Sequence, residues 1–308
     1  VLGVAGKMGP TLARMAVRAS QAAGVARRVI GVARFSDPAV RGRLEGWGVQ
    51  TLQADLLDRR QLERLPDAPN VLFLAGMKFG SSGQEALTWA MNCYVPALVC
   101  ERFARSRIAA FSTGNVYGLV PAGGEGSKET DPPEPLGDYA MSCLGRERMF
   151  EHFSRTLGLP VATLRLNYAC ELRYGVLADV ARRVWAGEPV DVTMGWCNVI
   201  WQADAASMAL AALAEAASPP RVLNLAGPER LSVRRLAGRF GELLGRPVRI
   251  AGREAPDALL SDGRAAYGLL GRPRVTVEQM TRWIADWVRA GGASLDKPTH
   301  FEARDGKY

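Results

Sequence analysis

The residues with the types and spacing to do chemistry fall in a few short stretches. One is Gly137-Asp138-Tyr139-Ala140-Met141-Ser142-Cys143-Leu144-Gly145-Arg146, a helix start with Asp138 near the cap. Cys143 and Arg146 follow Tyr139 one and two turns on, on the same helical face, so one phenol stands in line with a thiol and a guanidinium. Another is Gly3-Val4-Ala5-Gly6-Lys7-Met8-Gly9, three glycines in seven residues. It lies between Val1-Leu2, which reads as the tail of a strand beginning ahead of it, and the helical apolar pattern Leu12, Met15, Ala16. Strand, glycines, helix is the order a dinucleotide site needs. Gly3 permits the tight turn, Gly6 lets the backbone approach a pyrophosphate, Gly9 lets helix pack on strand, and the helix N-terminus offers unpaired N–H groups to the phosphates.

Further elements must hold these groups. A strand over residues 28–33 ends at Arg34, where an NAD site would carry an acid for the ribose 2′-hydroxyl. Arginine instead suits a 2′-phosphate, which favours NADP, with NAD as the alternative, although an arginine can also simply end a strand at the surface. Asp55-Leu56 follows the next strand, and Asp55 could equally cap a helix from Leu56 onward. Val71 to Gly76, with Leu74, Ala75 and Gly76 at its end, is a continuous apolar run, as in a strand buried on both faces, and leads to Met77-Lys78. Further strands are expected at residues 160–168 and 221–227. Helices are expected over 178–185, over 205–217 with Asp204 as its N-cap, over 232–244 and over 275–288.

Composition narrows the class. A chain of 308 residues, 48% hydrophobic and 23% charged, can bury a large core. No apolar run approaches the roughly 20 residues of a membrane helix, and the first residues read as a buried strand rather than a signal peptide, so a cytoplasmic protein away from membranes is expected. The five cysteines lack the spacing of a zinc or redox site, and no metal is expected. The net charge of +8 comes from scattered arginines without a basic tract or interleaved aromatics, which argues against nucleic acid as a partner.

With GxxGxxG at the N-terminus, Ser112-Thr113-Gly114-Asn115-Val116-Tyr117-Gly118 after a strand, and Tyr139 on a helix start, the chain resembles the extended short-chain dehydrogenase/reductase superfamily, the NAD-dependent epimerase/dehydratase family. The resemblance covers about residues 1–290. It implies an α/β fold, a doubly wound parallel Rossmann sheet with a smaller C-terminal substrate lobe. The expected division is 1–168 for cofactor binding, 169–290 for the substrate lobe interleaved with the last Rossmann elements, and 291–308 for a docked or mobile tail. It also implies a homodimer through helices near 86–105 and 139–155.

By resemblance, Tyr139 exchanges a proton with a hydroxyl or carbonyl of a sugar-like small molecule, and Thr113 orients the substrate oxygen. Asn92 supports the active-site backbone. Lys78 lies near the cofactor and substrate, Asp55 and Leu56 near the adenine. Asn115, Asn167 and Arg173 face the substrate. Dehydratases of the family carry Asp-Glu after the threonine; here Gly114-Asn115 provides no acid for elimination. Where the sugar-nucleotide enzymes carry an arginine for a diphosphate, this chain carries Asn198, which argues against a nucleotide sugar.

The family pattern is Tyr-x-x-x-Lys, and the lysine position is Cys143. Bringing a phenol from pKa 10 to about 7 takes roughly 4 kcal/mol, and a neutral thiol supplies little of it. Three readings follow: redox chemistry with Lys78 or Arg146 replacing the lysine's field, a cofactor-binding sensor or scaffold with little turnover, or Cys143 as a nucleophile.

Overall fold

The computed structural model describes residues 1–78 and 83–306. Its sheet grows from Leu2, which pairs in parallel with Val32 on one side and Phe73 on the other. On the first side lie the strands Ile30–Ala33 and Gln50–Gln53, in parallel register with Ile30 opposite Gln50. On the other, in spatial order, come Asn70–Phe73, Arg107–Thr113, Val161–Leu166 and Arg221–Leu225. The chain fills one side of Leu2 and then crosses to the other, the order of a doubly wound α/β sheet. Every residue of Arg107–Thr113 after Arg107 is buried, which suits its apolar stretch Ile108-Ala109-Ala110-Phe111.

The chain divides into two compact units. The first comprises Val1–Ser112, Met141–Leu164 and Ala206–Leu223, and the second Thr113–Ala140, Arg165–Ala205 and the chain from Asn224 on. In the first, Leu2, Val71, Phe73, Val95, Leu98 and Phe150 share a core, with Phe73 and Phe150 edge to face at 5.3 Å. In the second, the helices Val176–Ala186, Val233–Leu244 and Val277–Arg289 bury faces such as Val233, Leu236, Ala237, Phe240 and Leu244, spaced three and four apart. Ser232 caps the middle helix through Arg235 N–H, and Thr276 with Gln279 forms a capping box on the last.

That box corrects an expectation: the final helix begins at Val277, two residues later than 275, because Thr276 is its cap. Asp204 is not an N-cap either. The helix is Gln202–Ala211, and Asp204, inside its first turn, accepts instead from the backbone N–H of Arg274 at 3.1 Å and Val275 at 2.9 Å. Nor does Asp55 start a helix. Its Oδ1 accepts from Leu57 N–H at 3.0 Å in an Asx turn, and Asp58 caps Arg59–Glu63. The tail is docked as far as it is described, with Phe301 buried in the core of the second unit; Lys307 and Tyr308 lie outside the described residues. Among the described residues no helix is long and apolar enough to cross a membrane, and no cluster of acidic, His or Cys side chains could hold a metal.

Because Phe150 is fully buried against Phe73, we expect Phe150→Ala to cost about 3–5 kcal/mol, read as a lower urea midpoint at unchanged slope.

Candidate functional site

The glycine turn belongs to the first unit, and its glycines differ in why they are glycine. Gly3 adopts φ +82°, and a Cβ there would lie 2.7 Å from Ala75 N. A Cβ on Gly9 would run into the Val4 backbone. The fold itself therefore demands both. Gly6 is exposed, and the nearest atom to a Cβ there is the Gly3 carbonyl oxygen at 3.3 Å. Gly6 N–H donates to that oxygen at 3.1 Å, so a side chain would be tight there, yet the residue is exposed and its backbone is open to an external group. The helix Gly9–Ala22 that follows has no side-chain cap at Met8, so its N-terminus faces outward as a site for an anion, although Pro10 contributes no N–H; Lys7 and Met8 flank this mouth, half-buried. These residues suit a dinucleotide pyrophosphate.

Neighbouring strand ends carry the residues expected beside an adenosine. Ala54 N–H donates to the Ala33 carbonyl at 3.0 Å, so Arg34 and Asp55 leave adjacent strands. Arg34 is exposed. The first acid after it, Asp37, is spent as the N-cap of Pro38–Gly46, accepting from Ala39 N–H at 2.9 Å. Leu56 is buried beneath.

At the next strand end, Leu74, Ala75 and Gly76 meet a cluster that sequence reasoning saw only in pieces. Asn92, fully buried in the π-helical turn Ala90–Tyr94, accepts from Met77 N–H at 2.9 Å and donates to the Met77 carbonyl at 3.0 Å, holding the chain that leads to the half-buried Lys78. Its amide also donates to Ser142 Oγ at 2.9 Å. Arg146 is buried and donates from Nη1 to the Phe111 carbonyl at 2.8 Å and from Nη2 to Asn92 Oδ1 at 2.5 Å, while its Nε is buried without a hydrogen-bond partner among the described residues. The guanidinium lies so close under Gly76 that a Cβ there would run into Nη2. Both oxygens that hold this cation are neutral. Cys143, one turn before Arg146, has no exposed surface. Burial pushes the nearby Cys93 thiol up to about 11 despite the field of Arg146, so Cys93 stays neutral near pH 7.

In the second unit, Thr113 caps the short turn Gly114–Val116, donating to Asn115 Oδ1 at 2.8 Å and accepting from Asn115 N–H at 3.2 Å. Thr113, Gly114, Asn115 and Asn167 thus come together, since a Cβ on Gly114 would lie 3.0 Å from Asn167 Oδ1 and 3.2 Å from Ser261 Oγ. The Asn167 amide donates to Asn198 Oδ1 at 2.7 Å. Asn198 Nδ2 donates to the carbonyls of Ser261 at 2.7 Å and Gly227 at 3.0 Å, and its Oδ1 also accepts from Ser261 N–H at 3.3 Å. Every hydrogen-bonding position of Asn198 is thereby used within the protein. Ser261 Oγ is buried without a partner among the described residues.

Tyr117, the motif's other phenol, is buried; it donates to Asn224 Oδ1 at 2.9 Å and accepts from Arg165 at 2.7 Å. Burial raises its pKa, which Arg165 only partly offsets. Tyr139 is half-buried in the first turns of Gly137–Leu157. Arg173 is paired with Glu171 through Nε at 3.0 Å. Ser261, Asn224 and Arg165 were missed in the sequence. Their one signal is a polar residue inside an apolar run, as in Val222-Leu223-Asn224-Leu225-Ala226.

The sequence model described as the NAD dependent epimerase/dehydratase family matches residues 1–226. Among solved structures, DesIV, a dTDP-glucose 4,6-dehydratase from Streptomyces venezuelae with NAD and TYD bound, is similar with a TM-score of 0.79 at 19% identity, over 94% of this chain and 96% of that one. UDP-glucuronic acid 4-epimerase from Bacillus cereus in complex with NAD gives 0.77 at 19%, over 94% and 97%. UDP-glucose 4-epimerase from Thermotoga maritima with UDP-glucose gives 0.75 at 21%, over 94% and 98%. At these identities the likeness is one of fold. No curated protein matches the sequence.

Asn198→Ala removes the side-chain partners of the Gly227 and Ser261 carbonyls and of Ser261 N–H, and leaves the Asn167 amide only its 3.3 Å bond to the backbone carbonyl of residue 198. We expect a loss of about 3 kcal/mol, measured as a lower midpoint in chemical denaturation.

Proposed function

The chain belongs to the NAD-dependent epimerase/dehydratase family, and on that premise we propose that it is a nicotinamide-dependent epimerase or oxidoreductase acting on a hydroxyl or carbonyl of a sugar-like small molecule. The observation that carries the proposal is the glycine turn, in which Gly3 and Gly9 serve the fold while Gly6 lies bare before an uncapped helix start. A bound nicotinamide would supply the hydride acceptor or donor. Gly3, Gly6, Lys7, Met8 and Gly9 hold its pyrophosphate, Asp55 and Leu56 border the adenine, and Leu74, Ala75, Gly76, Lys78 and Asn92 line the part beyond.

Arg34 supports NADP. The nearest following acid, Asp37, caps a helix with one carboxylate oxygen. The DesIV structure and that of the Bacillus cereus epimerase hold NAD, which keeps NAD as the alternative. Arg34→Ala should weaken NADPH binding by about tenfold to a hundredfold, the loss of a charged hydrogen bond, and leave NADH binding unchanged in a fluorescence titration.

Tyr139 acts as the proton donor and acceptor, and Thr113 turns its hydroxyl from Asn115 to the substrate oxygen, with Asn115 beside it. Asn167 holds the opening of the substrate loop and Arg173 stands toward the substrate's far end. Arg146 is the cation that Tyr139's helix carries in place of the lysine two turns along its face, held by neutral oxygens that leave its charge uncancelled. Cys143 is the small buried residue that packs beside it, and a thiol with no exposed surface meets no substrate as a nucleophile. Gly114-Asn115 offers no acid where the dehydratases carry one, and the saturated Asn198 has no donor left for a diphosphate, which favours free sugars, sugar acids or lactones.

A second reading, cofactor binding with little turnover, draws on that same buried thiol at the lysine position. Incubation with NADP or NAD and a panel of sugars, sugar acids and lactones separates the two. We expect absorbance change at 340 nm or an epimerised product, lowered about a hundredfold or more by Tyr139→Phe. Silence of the unmodified protein across the panel would sink the enzymatic reading. Arg146→Met should shift the pH at which turnover reaches half its maximum upward, and Arg146→Lys should hold it.

The helical stretch from Glu85 to Arg102 exposes Leu87, Trp89 and Tyr94, and Gly137–Leu157 exposes Met141 and Leu157. These apolar faces support a homodimer through the two helices, for which sedimentation of the Trp89→Glu variant as a monomer is the test.

A further inference from the structure

The last residues, beyond the part that the family's sequence model matches, run across the second unit as a string of specific ties. Leu295 N–H donates to the carbonyl of Arg173 at 3.2 Å. Thr299 donates to Asp179 Oδ2 twice, from its backbone at 2.9 Å and its hydroxyl at 2.6 Å. Phe301 sits in the core with Val176, Val180 and Met194, only 2% exposed. Glu302 pairs with Arg183 at 2.8 Å, and Arg304 donates to the Asp257 carbonyl at 3.0 Å and to its carboxylate. Asp296 and His300 take left-handed backbone conformations, φ 49° and 51°. Non-glycine residues take such conformations at a cost of about 1 kcal/mol or more, so the ties fix the path.

The path ends on the helix that carries Tyr139. Gly306, at φ +75°, lies backbone to backbone with Gly137, at φ +79°, the first residue of Gly137–Leu157. A Cβ on Gly137 would run into the Gly306 carbonyl oxygen. One on Gly306 would run into the Leu136 carbonyl and lie 2.9 Å from Gly137 N. Two facing glycines in conformations that disfavour side chains are a costly arrangement for a passive tail, and Tyr139 stands two residues beyond the contact. A helix's first turn has no intrahelical partner for its N–H groups and opens first when unsupported.

We propose that residues 295–306 form a strap that positions the first turn of the Tyr139 helix, with the Gly306–Gly137 backbone contact as its seat. The strap's part in turnover rests on the reading of Tyr139 as the acid and base. Asp257 belongs to the strand Asp257–Ala258, paired with Val120–Pro121 where the chain leads toward Gly137, so Arg304 anchors the strap beside the same loop it closes. Gly306 and Arg304 are positioning residues: they act through the helix start and not on the substrate.

Two full-length variants test this. Gly306→Val places a branched side chain in the seat, and Arg304→Ala releases the anchor without a clash. Hydrogen exchange followed by mass spectrometry should show amides of the Tyr139 turn losing protection about tenfold in both, with the far end of the helix near Phe153 unchanged. With whichever panel sugar the unmodified protein turns over, kcat should fall about tenfold while KM and NADPH affinity hold. Unchanged exchange at the Tyr139 turn in both variants overturns the strap. Lost protection with unchanged kcat upholds the strap and counts instead against Tyr139 as the acid and base.

Discussion

Much of this molecule depends on the close approach of two backbones. Gly3 turns the chain directly over Ala75, with no space for any side chain, immediately after Leu2 has paired with the strands on both sides. A larger residue would push the first turn away from the sheet, and the helix Gly9–Ala22, seated by Gly9 on Val4, would follow it. Once the turn is fixed, the ends of adjacent strands fall into place around its mouth. Strand register brings Arg34 and Asp55, 21 residues apart in sequence, to the ends of adjacent strands, with Gly76 beyond the next strand on the other side of Leu2.

What was legible in the sequence was what is local. The glycine turn, the apolar runs of the sheet and the amphipathic helices each declare themselves within a dozen residues, although helix ends shift, as from 205–217 to Gln202–Ala211. The errors share a physical origin. Asp204 and Asp55 are good capping residues, yet a carboxylate accepts from whichever N–H groups arrive, and those of Arg274 and Val275 arrive from 70 residues away. Asn198 could be recognised as the wrong residue for a diphosphate, but not as the centre of a buried network, because Ser261 and Gly227 are far along the chain. The family resemblance supplied roles for Thr113, Tyr139 and Asn167 that no local pattern contains.

Arg146 shows how a charge can be kept in an interior. Its planar fork reaches two acceptors in fixed directions, a carbonyl and an amide oxygen, where a lysine ammonium would have to desolvate as a point charge. The face of Phe73 lies 5.7 Å from it and adds a favourable quadrupole. With a carbonyl and an amide oxygen as its hydrogen-bond acceptors, the guanidinium keeps its charge uncancelled by a carboxylate at these two bonds.

The π-helical turn Ala90–Tyr94 carries one residue more than an α-helical turn would hold. That extra residue acts as a phase shift of roughly 100° along an otherwise continuous rod. Ahead of it, Leu87 and Trp89 look outward; behind it, Val95, Leu98 and Val99 look inward; and Asn92, in the slipped turn itself, is turned onto Met77. One rod thus serves two clients, an aromatic outer surface and an internal amide clamp, that a uniform helix could not address at this spacing. Its local gear change makes the length of this segment, more than the chemistry of any residue but Asn92, the quantity under constraint.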